Sequence, residues 1–200
     1  REVLPGMGVR VVELEGLNAL DETLEREGER PGILYLETPA NPTMQNHRIS
    51  AAAAWAKQHA TPEHPIVTAV DNTFLGPLLQ RPLEHGADLL VYSATKYIGG
   101  HSDLIAGAVS GADWAVGRVR EFRHFLGGTI DPHTAWMLTR SMETLHVRVE
   151  KQQDHAREVA SYLRNHPAVV QLQSAWPEDL DEASASIAAE QTLGGGSMLA

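Results

Sequence analysis

Short apolar runs, each closed by polar or turn-forming residues, recur through the first half of the chain. Ile33–Leu36, Ile66–Val70 (IVTAV) and Leu89–Tyr92 (LLVY) stop at Glu37, Asp71 and Ser93. Runs this short, apolar without alternation, suit strands of a sheet buried on both faces. Ile105–Ser110 reads as a further strand, antiparallel at that point, and Gly8–Glu13 (GVRVVE) carries strand character from its β-branched residues. Helical stretches lie between them. Leu17–Arg26 holds helix formers and ends near glycine, and Ile49–His59 contains four consecutive alanines. From Trp114 the helical pattern dominates, first to Phe125 and then from His133 to about Asn165. That second stretch lacks Gly and Pro, is long for one globular helix, and is expected to bend near His146–Lys151. Val169–Gln173 reads as a strand of a new unit.

Strands alternating with helices predict an α/β fold with a mostly parallel sheet and flanking helices. The expected division is residues 1–145 as part of a large domain, then 146–200 as a connecting helix and the start of a second, smaller α/β domain. The chain opens Arg-Glu-Val and closes on a glycine turn, Gly194-Gly195-Gly196, running into what reads as a strand. Both ends suggest a piece of a longer chain.

Charge and composition remove several function classes. Twenty-six acidic against 16 basic residues give a net charge of −10. With no basic cluster to neutralise phosphates, nucleic acid is not an expected partner. No apolar run approaches the ~20 residues that a membrane span needs, so no membrane partner is expected, and the absence of cysteine fits a cytoplasmic protein without thiolate chemistry. The ten histidines include no pair at helical metal-ligand spacing, so no metal site is expected. A nucleotide-binding α/β domain would show Gly-x-Gly-x-x-Gly after a strand, and none occurs.

Parallel sheets place ligands beyond the carboxyl ends of their strands. Three polar clusters stand there: Glu37 to Thr43, Asp71 to Thr73, and Ser93-Ala94-Thr95-Lys96. The last sets two hydroxyls and an amine within four residues. Hydroxyls suit phosphate oxygens, and an amine beside them can form a Schiff base with an aldehyde. A lysine after a strand is commonplace by itself, and a strand-end aspartate is usually a turn or cap residue. Together they match what a pyridoxal site needs: a lysine for the aldehyde, donors for the phosphate, and Asp71 for the pyridine nitrogen.

The run Asp88-Leu-Leu-Val-Tyr-Ser93-Ala-Thr95-Lys96-Tyr97-Ile98-Gly99-Gly100-His101-Ser102 resembles the lysine-site signature of the Cys/Met-metabolism pyridoxal-phosphate enzymes. This family holds cystathionine gamma-synthase, the cystathionine lyases, methionine gamma-lyase and the homoserine sulfhydrylases. Asp71-Asn72-Thr73-Phe74 with Pro77–Leu83, Leu36-Glu37-Thr38-Pro39-Ala40-Asn41-Pro42-Thr43, and Asp131-Pro132-His133 before a helix are similar to further family segments.

The resemblance implies the large domain of a fold type I PLP-dependent transferase, with pyridoxal 5'-phosphate as cofactor. Lys96 would hold the cofactor and then move protons. Asp71 would pair with the pyridine nitrogen, Ser93 and Thr95 would bind phosphate, and Asn41 would sit near the phenolic oxygen. Glu37 would support the site without taking part in chemistry. A small amino-acid substrate and a homo-oligomer, a dimer of dimers, are implied as well. The implied reaction is γ-elimination or γ-replacement on sulfur amino acids or O-acylhomoserine. The family's ring-stacking tyrosine, glycine-containing phosphate loop and substrate-carboxylate arginine are not identifiable in these residues. The alternative is therefore a catalytically inactive, truncated relative that serves as an assembly or interaction module.

Overall fold

The computed structural model describes residues 3–14 and 16–200. Its centre is a four-stranded sheet in the order β1 (Ile33–Glu37), β2 (Val67–Asp71), β3 (Leu89–Ser93), β4 (Gly107–Gly111). The first three strands are parallel, and β4 returns antiparallel along β3. The predicted apolar runs thus became adjacent strands, including the antiparallel one.

The helices α1 (Val3–Gly6), α2 (Leu20–Glu27), α3 (Ile49–His59) and α4 (Gly76–Leu79) belong to the first half. They are followed by α5 (Asp113–Leu126), α6 (Pro132–Met142), α7 (Leu145–Arg164) and α8 (Glu182–Gln191). The alanines of α3 let it lie close against one face of the sheet, where Ala52 and Ala56 pack with Leu34 and Leu36. Ile49, fully buried, meets Val70, Leu90 and Tyr92. On the other face, Ala115 and Val116 of α5 cover Val67, Ala69 and Leu89 at the lower ends of their strands. A third cluster joins α4 to α7 through Leu75, Leu79, Leu145 and Val149.

Three expectations from the sequence need correction. Gly8–Glu13 is irregular, and Val9, Val11 and Val12 are exposed. β-branched residues favour an extended chain, but a strand also needs a neighbour to complete its ladder, and this segment has none among the described residues. Val169–Gln173 likewise forms no strand. Val170 is fully exposed, and pairing is confined to a Ser174–Leu199 bridge and reciprocal Gln173–Ala200 backbone bonds. The long helical stretch is two helices, broken at Glu143–Thr144 rather than bent near His146–Lys151. The break has a backbone cause: Glu143 and Thr144 donate to Arg140 O and Ser141 O three residues back, which tightens the turn.

The segment after α7 folds back on the sheet domain. The buried Gln191 of α8 accepts from Ile49 N and donates to His47 O, while Leu193 N donates to Leu79 O. Arg48 and Glu190 form an ion pair across the same contact. No helix among the described residues is long and apolar enough to cross a membrane.

Candidate active site

The carboxyl ends of β1, β2 and β3 share one rim. Their register places Glu37 beside Asp71 and Asp71 beside Val91, so Ser93 lies two residues further along the neighbouring strand. Side chains two residues apart on a strand point the same way. Tyr35, Glu37, Asp71 and Ser93 therefore share one face, opposite the face closed by α3. Neighbouring strands are about 4.8 Å apart and rise about 3.3 Å per residue, which separates the Asp71 and Ser93 backbones by roughly 8 Å. One substituted aromatic ring can bridge that gap.

Asp71 is held on both oxygens. Thr73 N donates to Oδ1 at 3.0 Å and Tyr35 Oη donates to Oδ2 at 3.1 Å. Thr73 also reaches the adjacent strand end, where its Oγ1 accepts from Ser93 N at 2.8 Å. A single threonine thus ties the Asp71 turn to the Ser93–Lys96 turn. Beneath the rim, Asn72 points into the core with no exposed surface. Its Nδ2 faces Gly76 O and Gln80 O, each at 3.0 Å, and Tyr92 Oη at 3.2 Å. The Asp71-Asn72 pair is therefore split between the sheet's two sides, the acid toward the site and the amide toward the interior.

The turn carrying Lys96 is fixed by its own backbone. Lys96 N donates to Ser93 O (3.0 Å), Gly99 N to Ala94 O (2.7 Å) and Gly100 N to Lys96 O (2.7 Å). Ala94 is fully buried beneath it, whereas Lys96 is exposed and has no ion-pair partner among the described residues. Thr95 is committed to the fold. Its hydroxyl donates to Ala106 O at 3.2 Å and accepts from Ala106 N at 2.9 Å, which pins the turn to the start of β4.

Asn41 stands exposed in the loop after β1, bracketed by the cis peptides Thr38–Pro39 and Asn41–Pro42. Its backbone N–H donates to Glu37. Partial burial raises the Glu37 carboxyl above its ordinary value, the Asn41 N–H opposes that rise, and the Asp71 carboxylate adds to it. Tyr35 is raised well beyond the usual phenol range by partial burial and then by Asp71, so its hydroxyl stays a proton donor to that carboxylate. Among the described residues, no cluster of three His, Asp or Glu could hold a metal ion.

Of the residues singled out in the sequence, the fold thus joins Asp71 and the Ser93–Lys96 turn through Thr73. It puts Asn41 on the same rim without a bond to them. It gives Thr95 a backbone partner. Sequence reasoning missed Tyr35 and the linking role of Thr73. Strand alternation could have put Tyr35 on the Asp71 face, but only once the β1–β2 register was known.

The residues fit pyridoxal phosphate as a donor set. A carboxylate held by two donors can face a ring nitrogen, an exposed amine can meet an aldehyde, and a hydroxyl at the next strand end can meet a phosphate.

The whole chain, residues 1–200, matches the Cys/Met metabolism PLP-dependent enzyme family. An L-methionine gamma-lyase of Pseudomonas deceptionensis is 39% identical over 166 residues, 82% of this chain and 40% of that protein. Cystathionine gamma-synthase 1 of Arabidopsis thaliana, a chloroplastic protein, is 35% identical over 83% of this chain and 29% of its own length. The crystal structure of cystathionine gamma-lyase from Lactobacillus plantarum, complexed with L-serine, superposes with a TM-score of 0.80 at 34% identity. That match covers 95% of this chain and 48% of the other. The chain therefore spans less than half the length of these relatives, and it belongs to the Cys/Met metabolism PLP-dependent enzymes.

Proposed function

We propose that this chain carries the lysine and ring-nitrogen parts of a PLP site serving γ-elimination or γ-replacement on sulfur amino acids or O-acylhomoserine. The observation that carries this reading is the Thr73 bridge, which holds the Asp71 turn and the Lys96 turn at adjacent strand ends.

When bound, PLP supplies an electron sink for charge that develops on substrate carbons next to the amino group. Asp71, oriented by Tyr35 and Thr73, presents a carboxylate to the ring nitrogen and favours its protonated form. Ser93 offers a hydroxyl to the phosphate. Thr95 fixes the turn, and its hydroxyl would have to leave Ala106 O to donate to phosphate itself. Lys96 would hold the aldehyde at rest, and its amine, when free, would be placed to take the proton from the substrate α-carbon and to serve the β-carbon proton in turn. Asn41, at the rim beyond β1, offers an amide to the phenolic oxygen.

The leaving group that fits is a thiolate from methionine or cystathionine and a carboxylate from O-acylhomoserine, and water or a second nucleophile decides between elimination and replacement. Methionine, cystathionine and O-acylhomoserine are the substrates to assay, with 2-oxo acid as the elimination product of each, thiol released from the two sulfur substrates and carboxylate from O-acylhomoserine. Before that, added PLP should give the visible absorbance band of a lysine-bound cofactor, and Lys96→Ala should abolish it. Retention of the band by Lys96→Ala would remove Lys96 from its assigned role.

A second reading, an inactive relative serving in assembly, draws on the exposed apolar side chains Phe122, Phe125 and Leu126 of α5. It predicts self-association or partner binding that is unaffected by Lys96→Ala, together with no turnover of any of the three substrates.

A further inference from the structure

We infer that Arg148 is a positioning residue for Lys96, holding the two peptide carbonyls that follow the lysine against the junction of α6 and α7. The inference rests on the reading of Lys96 as the cofactor anchor, but its geometry stands apart from that reading.

The Arg148 guanidinium makes four hydrogen bonds, and they reach three parts of the chain. Nη1 donates to Tyr97 O at 2.8 Å and Nη2 to Ile98 O at 3.3 Å. Nη2 also donates to Ser141 O at 2.8 Å, and Nε donates to Thr144 Oγ1 at 3.2 Å. Every acceptor is a neutral oxygen. Among the described residues no carboxylate meets this cation, and its burial lowers its pKa from the ordinary arginine value. An unpaired, partly desolvated charge is unfavourable unless dipoles replace the lost water. Here three carbonyls do so, one of them at the carboxyl end of α6, where the helix dipole is negative.

The consequence falls on the lysine. Lys96 N and O are already tied to Ser93 and Gly100, so the next two carbonyls are the remaining freedom of the turn. Arg148 takes both. Gly100 makes room for it: the residue has a φ of +76°, and a Cβ there would collide with Nη1. A planar fork with five donors is needed to reach these segments together, and a lysine ammonium, a single point of charge, cannot span them. The guanidinium also occupies the α6–α7 break, so one side chain couples the helix junction to the catalytic turn.

The test uses Arg148→Lys in the full chain, with Arg164→Lys as control. Arg164 pairs with Asp179 in the C-terminal segment and has no contact with the turn. Without added cofactor, hydrogen exchange at the Gly99 and Gly100 amides should be about tenfold faster in Arg148→Lys than in the wild type or the control. With PLP, the same variant should bind about tenfold more weakly and shift the pH midpoint of the lysine-bound band, while the control changes neither. Unchanged exchange at Gly99 and Gly100, or an equal response in Arg164→Lys at equal loss of thermal stability, would overturn the inference while leaving the Lys96 reading intact. Faster exchange in Arg148→Lys, with the band surviving in Lys96→Ala, would instead overturn the reading of Lys96 and with it the positioning role.

Discussion

The two faces of the same sheet are treated in opposite ways. On one, Leu36, Val70, Leu90 and Tyr92 alternate inward and are buried beneath α3. On the other, burial is confined to the lower ends, where Ala69 and Leu89 meet Ala115. The upper ends carry Tyr35, Glu37, Asp71 and Ser93, which are half-buried or exposed; hydrogen bonds link Tyr35 to Asp71 and, through Thr73, Asp71 to Ser93. Period-two alternation sends the even residues to the face beneath α3 and the odd residues to the other face, where α5 covers the lower positions and leaves the upper ones as the rim. Stability and cofactor binding should therefore be separable by face. Substitutions beneath α3 should lower stability and leave binding nearly unchanged, and substitutions on the rim should do the reverse.

The largest effect is expected from Ile49→Ala. Ile49 is fully buried against Val70 and Tyr92, and removing a buried Ile side chain costs about 2–5 kcal/mol of folding stability. Chemical denaturation measures this directly, and PLP affinity of the folded fraction should stay within a factor of about two. A comparable loss of affinity would show that the two faces are coupled and would break the contrast. Asn72→Ala comes next and falls on the boundary. It removes the buried amide that faces Gly76 O, Gln80 O and Tyr92 Oη, a loss of about 1–3 kcal/mol. Because Asn72 follows Asp71 directly, this variant alone should lower both stability and cofactor affinity.

Tyr35→Phe should be nearly silent in denaturation, with a change under about 1 kcal/mol, because the ring is 56% exposed and only one hydrogen bond is lost. Its effect belongs to the rim. Asp71 would keep the Thr73 N–H but lose the donor on its other oxygen. PLP affinity should fall about fivefold, read from titration of the visible band. A stability loss larger than the affinity loss would place Tyr35 with the core and blur the contrast.

Much of this contrast was legible from residues alone. The apolar runs at Ile33, Ile66 and Leu89 became three adjacent strands, and the alanine run gave α3 with the ends Ile49 and His59. The meeting of Asp71 and the Ser93–Lys96 turn at one rim was legible because polar residues close the apolar strands there. What escaped depends on contacts distant in sequence. Tyr35 meets Asp71 across 36 positions, and Arg148 meets Tyr97 across 51. The break at Glu143–Thr144 contains neither Gly nor Pro and is set by backbone bonds to Arg140 and Ser141, so no local signal marks it. Helix α8 did carry a signal: the Asp181 side chain caps Ser184 N at 2.8 Å, and an acidic residue three before a serine was there to be read. Gly8–Glu13 failed in the opposite direction, since β propensity cannot supply a partner strand.

The smallest effect sharpens the comparison where the faces join. His47 lies between the rim loop and α3, with its N–H on Thr38 Oγ1 and its carbonyl receiving Gln191 Nε2. Burial lowers its pKa from the ordinary 6.5, so the folded state prefers the neutral ring. Its contribution to stability is therefore complete above 6.5 and is lost as pH falls through the lowered value. Glu37 acts in the other direction. Its raised carboxyl contributes stability at low pH that is lost as pH rises through its folded value. The wild-type profile mixes the two, and only a difference between proteins isolates one of them. On going from a pH above 6.5 to one well below it, the wild type should lose more thermal stability than His47→Gln, by a small margin because the ring is only half-buried. Glu37→Gln should retain the His47 drop and lose only the Glu37 contribution. Equal acid sensitivity in wild type and His47→Gln would mean that protonation of this ring is not felt where the loop meets α3.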